Sequence, residues 1–182
     1  MRTLPCLALI LFVCLLSCPL HAQRMPRDPL TQEQARKIAD ASIFPPLRVA
    51  LYTKYLNEHA DGIKALARRA DTAARSHRMA SDLEDFADLM DELGSNLDMY
   101  DRRKADIRKA LKPLNDAIVQ WQAMLHNLPS EPGFDLERTD AIDSSNDLSD
   151  QTKQLIQSQE AYFKEHKNQK GQQRALPSPP QQ

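Results

Sequence analysis

Large side chains recur along residues 83–128 at alternating steps of three and four. The series runs Leu83, Phe86, Met90, Leu93, Leu97, Tyr100, Lys104, Ile107, Leu111, Leu114, Ile118, Trp121, Leu125 and Leu128. Only Lys104 in it is polar. A seam of this period is the buried stripe of a helix in a bundle or coiled coil. Ser81 with Glu84 has the form of a capping box directly before it. The pattern therefore predicts one helix over 81–128, about 72 Å long at 1.5 Å per residue. Pro113 falls inside this span and removes one backbone donor. The phase of the seam is unchanged across it, which favours a kinked continuous helix over two helices.

A second seam precedes this one: Val49, Tyr52, Leu56, His59, Ile63, Leu66, Ala70, Ala73 and His77. It predicts a helix over 46–78, started by Pro45-Pro46, with a turn near 78–80. No Gly or Pro marks that turn, so a continuous helix with a local skip is the rival. Upstream, Thr31 with Gln34 reads as a capping box and Leu30 as its hydrophobic staple, predicting a short helix over 31–44. After a loop at 129–135 (PSEPGFD), Ala141, Leu148, Leu155 and Tyr162 repeat every seven residues, a helix over 137–167. Ser144-Ser145-Asn146-Asp147 has poor helix propensity and is a candidate break. Together these segments predict an all-α fold: an elongated antiparallel helical bundle, or coiled-coil hairpin, with one long helix that Pro113 kinks.

Charge adds an orientation. Residues 82–101 carry eight acids and no Lys or Arg, while the preceding helix ends with Lys64, Arg68, Arg69, Arg75 and Arg78. A fold-back near residue 80 would set the two signs side by side, which selects orientation more than it stabilises.

The ends of the chain set its compartment and its order. Arg2, the apolar run at 6–16 (CLALILFVCLL) and the small residue Ala22 form the pattern of a secretory signal peptide over 1–22. The run is too short for a membrane span. Cys6, Cys14 and Cys18 all lie in this segment, so a chain cut after Ala22 has no disulfide; it also has no Asn-x-Ser/Thr sequon. The joint absence favours a bacterial envelope protein, most simply periplasmic. Leu15-Leu16-Ser17-Cys18 also has the form of a loose lipobox, which would make Cys18 a lipid anchor. Residues 23–30 read as a flexible leader. Residues 168–182 (NQKGQQRALPSPPQQ) read as a disordered tail, polar and proline-rich.

Chemistry is sparse. No histidine pair has the spacing of two ligands on one helical face, and His59 and His77 are roughly 27 Å apart along one predicted helix. Four glycines leave little room for a phosphate-binding loop. No catalytic, cofactor or metal residue is expected. The basic stretch Arg102-Arg103-Lys104 with Arg108, Lys109 and Lys112 reads as a solvated helix face rather than a nucleic-acid site. Trp121 and Tyr100 read as core. Leu30-Thr31-Gln32-Glu33-Gln34 resembles the L-T-x-x-Q motif of the small helical periplasmic chaperones of the Spy and CpxP type, which bind unfolded envelope proteins without ATP. Leu148-Ser149-Asp150-Gln151 departs from the second copy that family carries. The function expected is non-enzymatic and exerted through protein–protein contacts, as scaffold, adaptor or self-associating protein. A holdase chaperone and a lipid-anchored envelope component are the alternatives. Partners are expected to be proteins or a second copy, with no nucleic acid, and membrane only through a lipidated Cys18.

Overall fold

The structure is a computed structural model that describes residues 28–166. Among these the chain is all-helical, with 83% of residues in helices, no strands, and five helices packed against each other. The helices are α1 (Gln32–Asp40), continued by a 3-10 turn at Ala41–Ile43, then α2 (Pro45–Ala67), α3 (Ala73–Arg102), α4 (Arg108–His126) and α5 (Asp135–Glu165). Helix α2 packs on α3 and α4, and α5 packs on the same two from the other side. The four long helices therefore close into a bundle whose diagonals are α2/α5 and α3/α4. The short turn at 68–72 joins α2 to α3, and Tyr52, far from it on α2, meets Glu92 and Asn96 far along α3, so the two run antiparallel. Gln151 meets Gly94 and Gln159 meets Ala105, so α3 and α5 run parallel.

The predicted start of the first helix is present in atomic detail. The Thr31 hydroxyl accepts the Gln34 N–H and the Gln34 side chain accepts the Thr31 N–H, a complete capping box. Leu30 is buried, as a staple requires. Pro45 and Pro46 open α2, where missing N–H groups cost nothing.

Three boundaries differ from the sequence reading. Helix α2 ends at Ala67, not near 78, and the turn lies at 68–72. The first seam had already failed there: Val49, Tyr52, Leu56, Ile63 and Leu66 are buried, while Ala70, Ala73 and His77 are exposed. The next helix is capped by Thr72, whose hydroxyl accepts the Arg75 N–H at 3.1 Å. Ser81 and Glu84 sit inside α3, so the rival of a continuous helix through 78–81 is the observed one. The charge argument falls with the turn. Arg75 and Arg78 lie on the same helix as the acids, and Arg78 pairs with Asp82 along it at 2.8 Å.

The second correction concerns the long helix. It is broken at 103–107, not kinked at Pro113. At the end of α3 the Ala105 N–H reaches the Tyr100 carbonyl at 2.9 Å and the Lys104 N–H reaches Asp101 at 3.0 Å. This is a Schellman motif, with Lys104 in the left-handed conformation at φ 51°. Pro113 lies within α4 without ending it. Pro113 and Lys109, whose carbonyl loses its donor, both face water. Third, α5 starts at Asp135 and runs unbroken through Ser144–Asp147. Ser145, Ser149 and Thr152 are buried, small side chains on the face that α5 turns to its neighbours. Four main helices replace the three expected.

The left-handed Lys104 yields a prediction. A non-glycine residue in that conformation costs about 1–2 kcal/mol, and glycine in its place loses roughly 0.5–1 kcal/mol in chain entropy. Lys104→Gly should therefore stabilise the fold by about 0.5–1 kcal/mol in urea unfolding. Lys104→Ala keeps the strain and also loses the exposed Asp101 pair, so it should bring no gain. If both variants move together, strain is not the cause.

Candidate functional site

The residues singled out by sequence fall in separate places. His59 is half-buried and its Nε2–H donates to the Pro29 carbonyl at 3.1 Å, tying the segment that precedes α1 to α2. His77 is exposed on α3. Trp121 and Tyr100 are buried, as expected of core residues. The acidic run is used piecemeal: Glu92 accepts from Tyr52, Asp98 from Gln151, and Asp101 pairs with Lys104. Partial burial, with Glu84 and Asp91 nearby, pushes the Asp88 carboxyl above its ordinary range. In the basic stretch, Arg108 forks onto Asp106 and covers the Phe163 ring at 4.4 Å. Among the described residues no cluster of three His, Cys, Asp or Glu is placed to hold a metal, and no helix is long and apolar enough to cross a membrane. Cys18 lies outside the described residues.

One polar layer is built into the α2/α3 interface. The Tyr52 hydroxyl donates to Glu92, and Asn96 Nδ2 donates to the Tyr52 oxygen at 3.4 Å and to the Glu92 carbonyl at 2.8 Å. The Arg48 guanidinium lies 5.9 Å from the Tyr52 ring centroid. Burial first, then the bond to Glu92, pushes the Tyr52 phenol up to about 12. Between pH 10 and 12 the folded state therefore holds a proton that the unfolded state releases. The stabilisation is intact below about pH 10 and is lost as pH rises toward 12. Tyr52→Phe should flatten this alkaline fall in urea unfolding across that window. Tyr100, whose phenol burial also pushes up, leaves part of the slope in place. An unchanged slope in Tyr52→Phe would assign the whole fall elsewhere.

The feature sequence reasoning missed is an apolar edge at the α1–α2 corner. Ile43, Phe44 and Leu47 are 63%, 54% and 52% exposed, and they are close together in the chain. Leu47 lies roughly 140° around α2 from Tyr52, on the side away from the core seam. The edge runs into an open cleft of about 600 Å³ between α2 and α4. Its apolar surface comes from Pro46, Leu47, Ala50, Ala110 and Pro113, and its polar rim from Lys54, Asn57, Glu58, Asp61 and Lys109. Asn57 Oδ1 accepts the indole N–H of Trp121 at 2.8 Å, which joins the rim to the core. The available signal was Ile43-Phe44 and Leu47, apolar yet out of phase with the seam beside two prolines. Val119 and Leu136 are exposed elsewhere as single residues, which is ordinary for a protein surface.

The cleft sets apolar surface beside a polar rim most of whose groups are already paired, Glu58 with Lys54 and Gln34, Asp61 with Lys64 and Asn57 with Trp121, an arrangement suited to binding a side chain or a short segment by apolar contact. Two lysines and two acids leave its rim near neutral, so shape and apolar contact would select its ligand. Comparison with known proteins gives no relative from which to transfer a role: no family model, no curated protein and no solved structure matches the chain.

Proposed function

We propose that this chain is an exported, non-enzymatic helical protein that acts by protein–protein contact. The contact surface in this reading is the Ile43–Phe44–Leu47 edge with the α2/α4 cleft. One observation carries it: Leu47, half-exposed and close in the chain to the exposed Ile43 and Phe44, lines an open cleft with Pro46, Ala50, Ala110 and Pro113, where burial by a partner would recover about 25 cal/mol per Å² of apolar surface. Sedimentation equilibrium of the native protein and of Leu47→Asp tests the self-association form. A reversible oligomer weakened by Leu47→Asp supports it.

The holdase alternative predicts that the protein slows aggregation of an unfolded client and that Leu47→Asp loses this effect. The L-T-x-x-Q resemblance adds little to it, since Thr31 and Gln34 are spent on capping α1. If the wild type neither associates nor engages a client through Leu47, contact by this edge is wrong. Export is tested by the intact mass of the native protein. A start at Gln23 fits a free periplasmic protein, an acylated Cys18 fits a lipid anchor, and a retained Met1 removes both.

A further inference from the structure

A proline-rich sequence follows α5, whose last turns lie against the start of α4. Helix α5 ends against the first turn of α4: the Arg108 guanidinium is 4.4 Å from the Phe163 ring centroid, and Lys104 is 5.8 Å from that of Tyr162. Lys109 and Ala110, next along that turn, form one wall of the cleft. The sequence continues from Lys167 to Gln182, polar except for Ala175-Leu176-Pro177-Ser178-Pro179-Pro180. Pro177 and Pro180 have P-x-x-P spacing, the signature of polyproline segments that dock on apolar and aromatic grooves.

We propose that Leu176–Pro180 docks in the α2/α4 cleft of its own chain and competes there with the partner. The proposal rests on the reading of that cleft as a contact surface. Reach is sufficient. Leu176 lies ten positions after His166, with a root-mean-square span of roughly 17 Å for a flexible linker and up to about 33 Å fully extended. Phe163 rests on Arg108, which adjoins Lys109 in the cleft wall, so a span of this size reaches the cleft. Composition matches as well: Leu176 is the only large apolar side chain of the segment, and the cleft offers Leu47, Ala50, Ala110 and Pro113. A polyproline segment loses little entropy on docking. A linker this short gives an effective concentration in the millimolar range, so a contact with a Kd near 1 mM is about half-occupied. At that Kd a partner displaces the segment at a cost of about twofold in affinity.

Amide nitrogen-15 spectra of the full chain and of Leu176→Asp test this directly, because a tail variant leaves the bundle intact. The expected differences lie in the tail and at residues 44–54 and 109–113, and are unchanged on dilution. A synthetic peptide of residues 172–182, added to Leu176→Asp, should restore the wild-type shifts saturably. It should do nothing to a Leu47→Asp, Leu176→Asp double variant. Differences confined to residues after 166, or falling outside the cleft, would overturn the proposal. Differences that vanish on dilution would overturn it too, by assigning the cleft to a second copy. No partner enters this experiment, so its failure leaves the partner reading standing, and failure of the partner assay leaves this one readable.

Discussion

Gln159→Leu should cost roughly 2–4 kcal/mol in urea unfolding, although it replaces a polar side chain in the core by an apolar one of similar size. Gln159 is 3% exposed on α5. Its Oε1 accepts the Ile107 N–H at 3.1 Å and its Nε2 donates to the Ala105 carbonyl at 2.9 Å. These two backbone groups belong to the short link that carries the chain diagonally from α3 to α4. Ile107 is fully buried and begins α4 with no side-chain cap. Without Gln159 both groups lose their partner, and a buried polar group left unsatisfied costs about 1–3 kcal/mol. Gln159→Glu provides the control. A carboxylate can accept from Ile107 but cannot donate to Ala105, so its loss should shrink as acid protonates the group. A cost for Gln159→Leu below about 1 kcal/mol would mean that water replaces the clamp.

The same link shows where sequence reading stops. Unchanged phase across Pro113 favours one helix there, and the series through Tyr100, Lys104, Ile107 and Leu111 keeps the same phase, so periodicity marks no reversal at either place. The reversal lies in the link nonetheless. Phase is kept because Tyr100 and Ile107 must both reach the core from either side of a tight Schellman turn. Lys104, the one polar member of the series, was the local trace of the break, but the residue that secures it, Gln159, stands far along the chain. By contrast the Thr31 capping box and the Pro45-Pro46 helix start depend on neighbours within four residues, and both were legible. So was the inside of the bundle: all thirteen apolar members of the long seam are buried. The first turn was legible in principle, through Thr72 and the failing seam after Leu66. The apolar edge leaves no mark in core periodicity, because its residues fall out of phase with the seam. Its cleft depends on how α2 and α4 meet, which no local pattern encodes.

Trp121 is where core and candidate site meet, and its replacement by Ala should be the most damaging single change considered, at about 3–5 kcal/mol. The indole is 2% exposed, meets Phe86 edge-on at 5.8 Å between centroids, and joins α4 to both α2 and α3. Against a typical total of about 5–15 kcal/mol, a loss of that size removes much of the margin of the fold. Trp121→Phe separates the two contributions. It keeps most of the ring volume but loses the N–H donated to Asn57, so it should cost about 1 kcal/mol for the bond, plus a smaller packing loss. Urea unfolding of both variants gives the ordering, and equal losses would mean that the bond rather than the packing dominates. The Asn57 bond has a further consequence. Asn57 lines the cleft, and Trp121 is the only tryptophan in the sequence. An occupant that draws Asn57 away from the indole therefore changes the polarity around the one tryptophan, whose emission is read by exciting above the tyrosine absorption. Titration with the 172–182 peptide should shift the emission of Leu176→Asp saturably and leave the variant that also carries Leu47→Asp unmoved, while Asn57→Ala should abolish the shift without abolishing binding. A shift that survives in Asn57→Ala would place the coupling in the packing of α2 on α4 instead of in that bond.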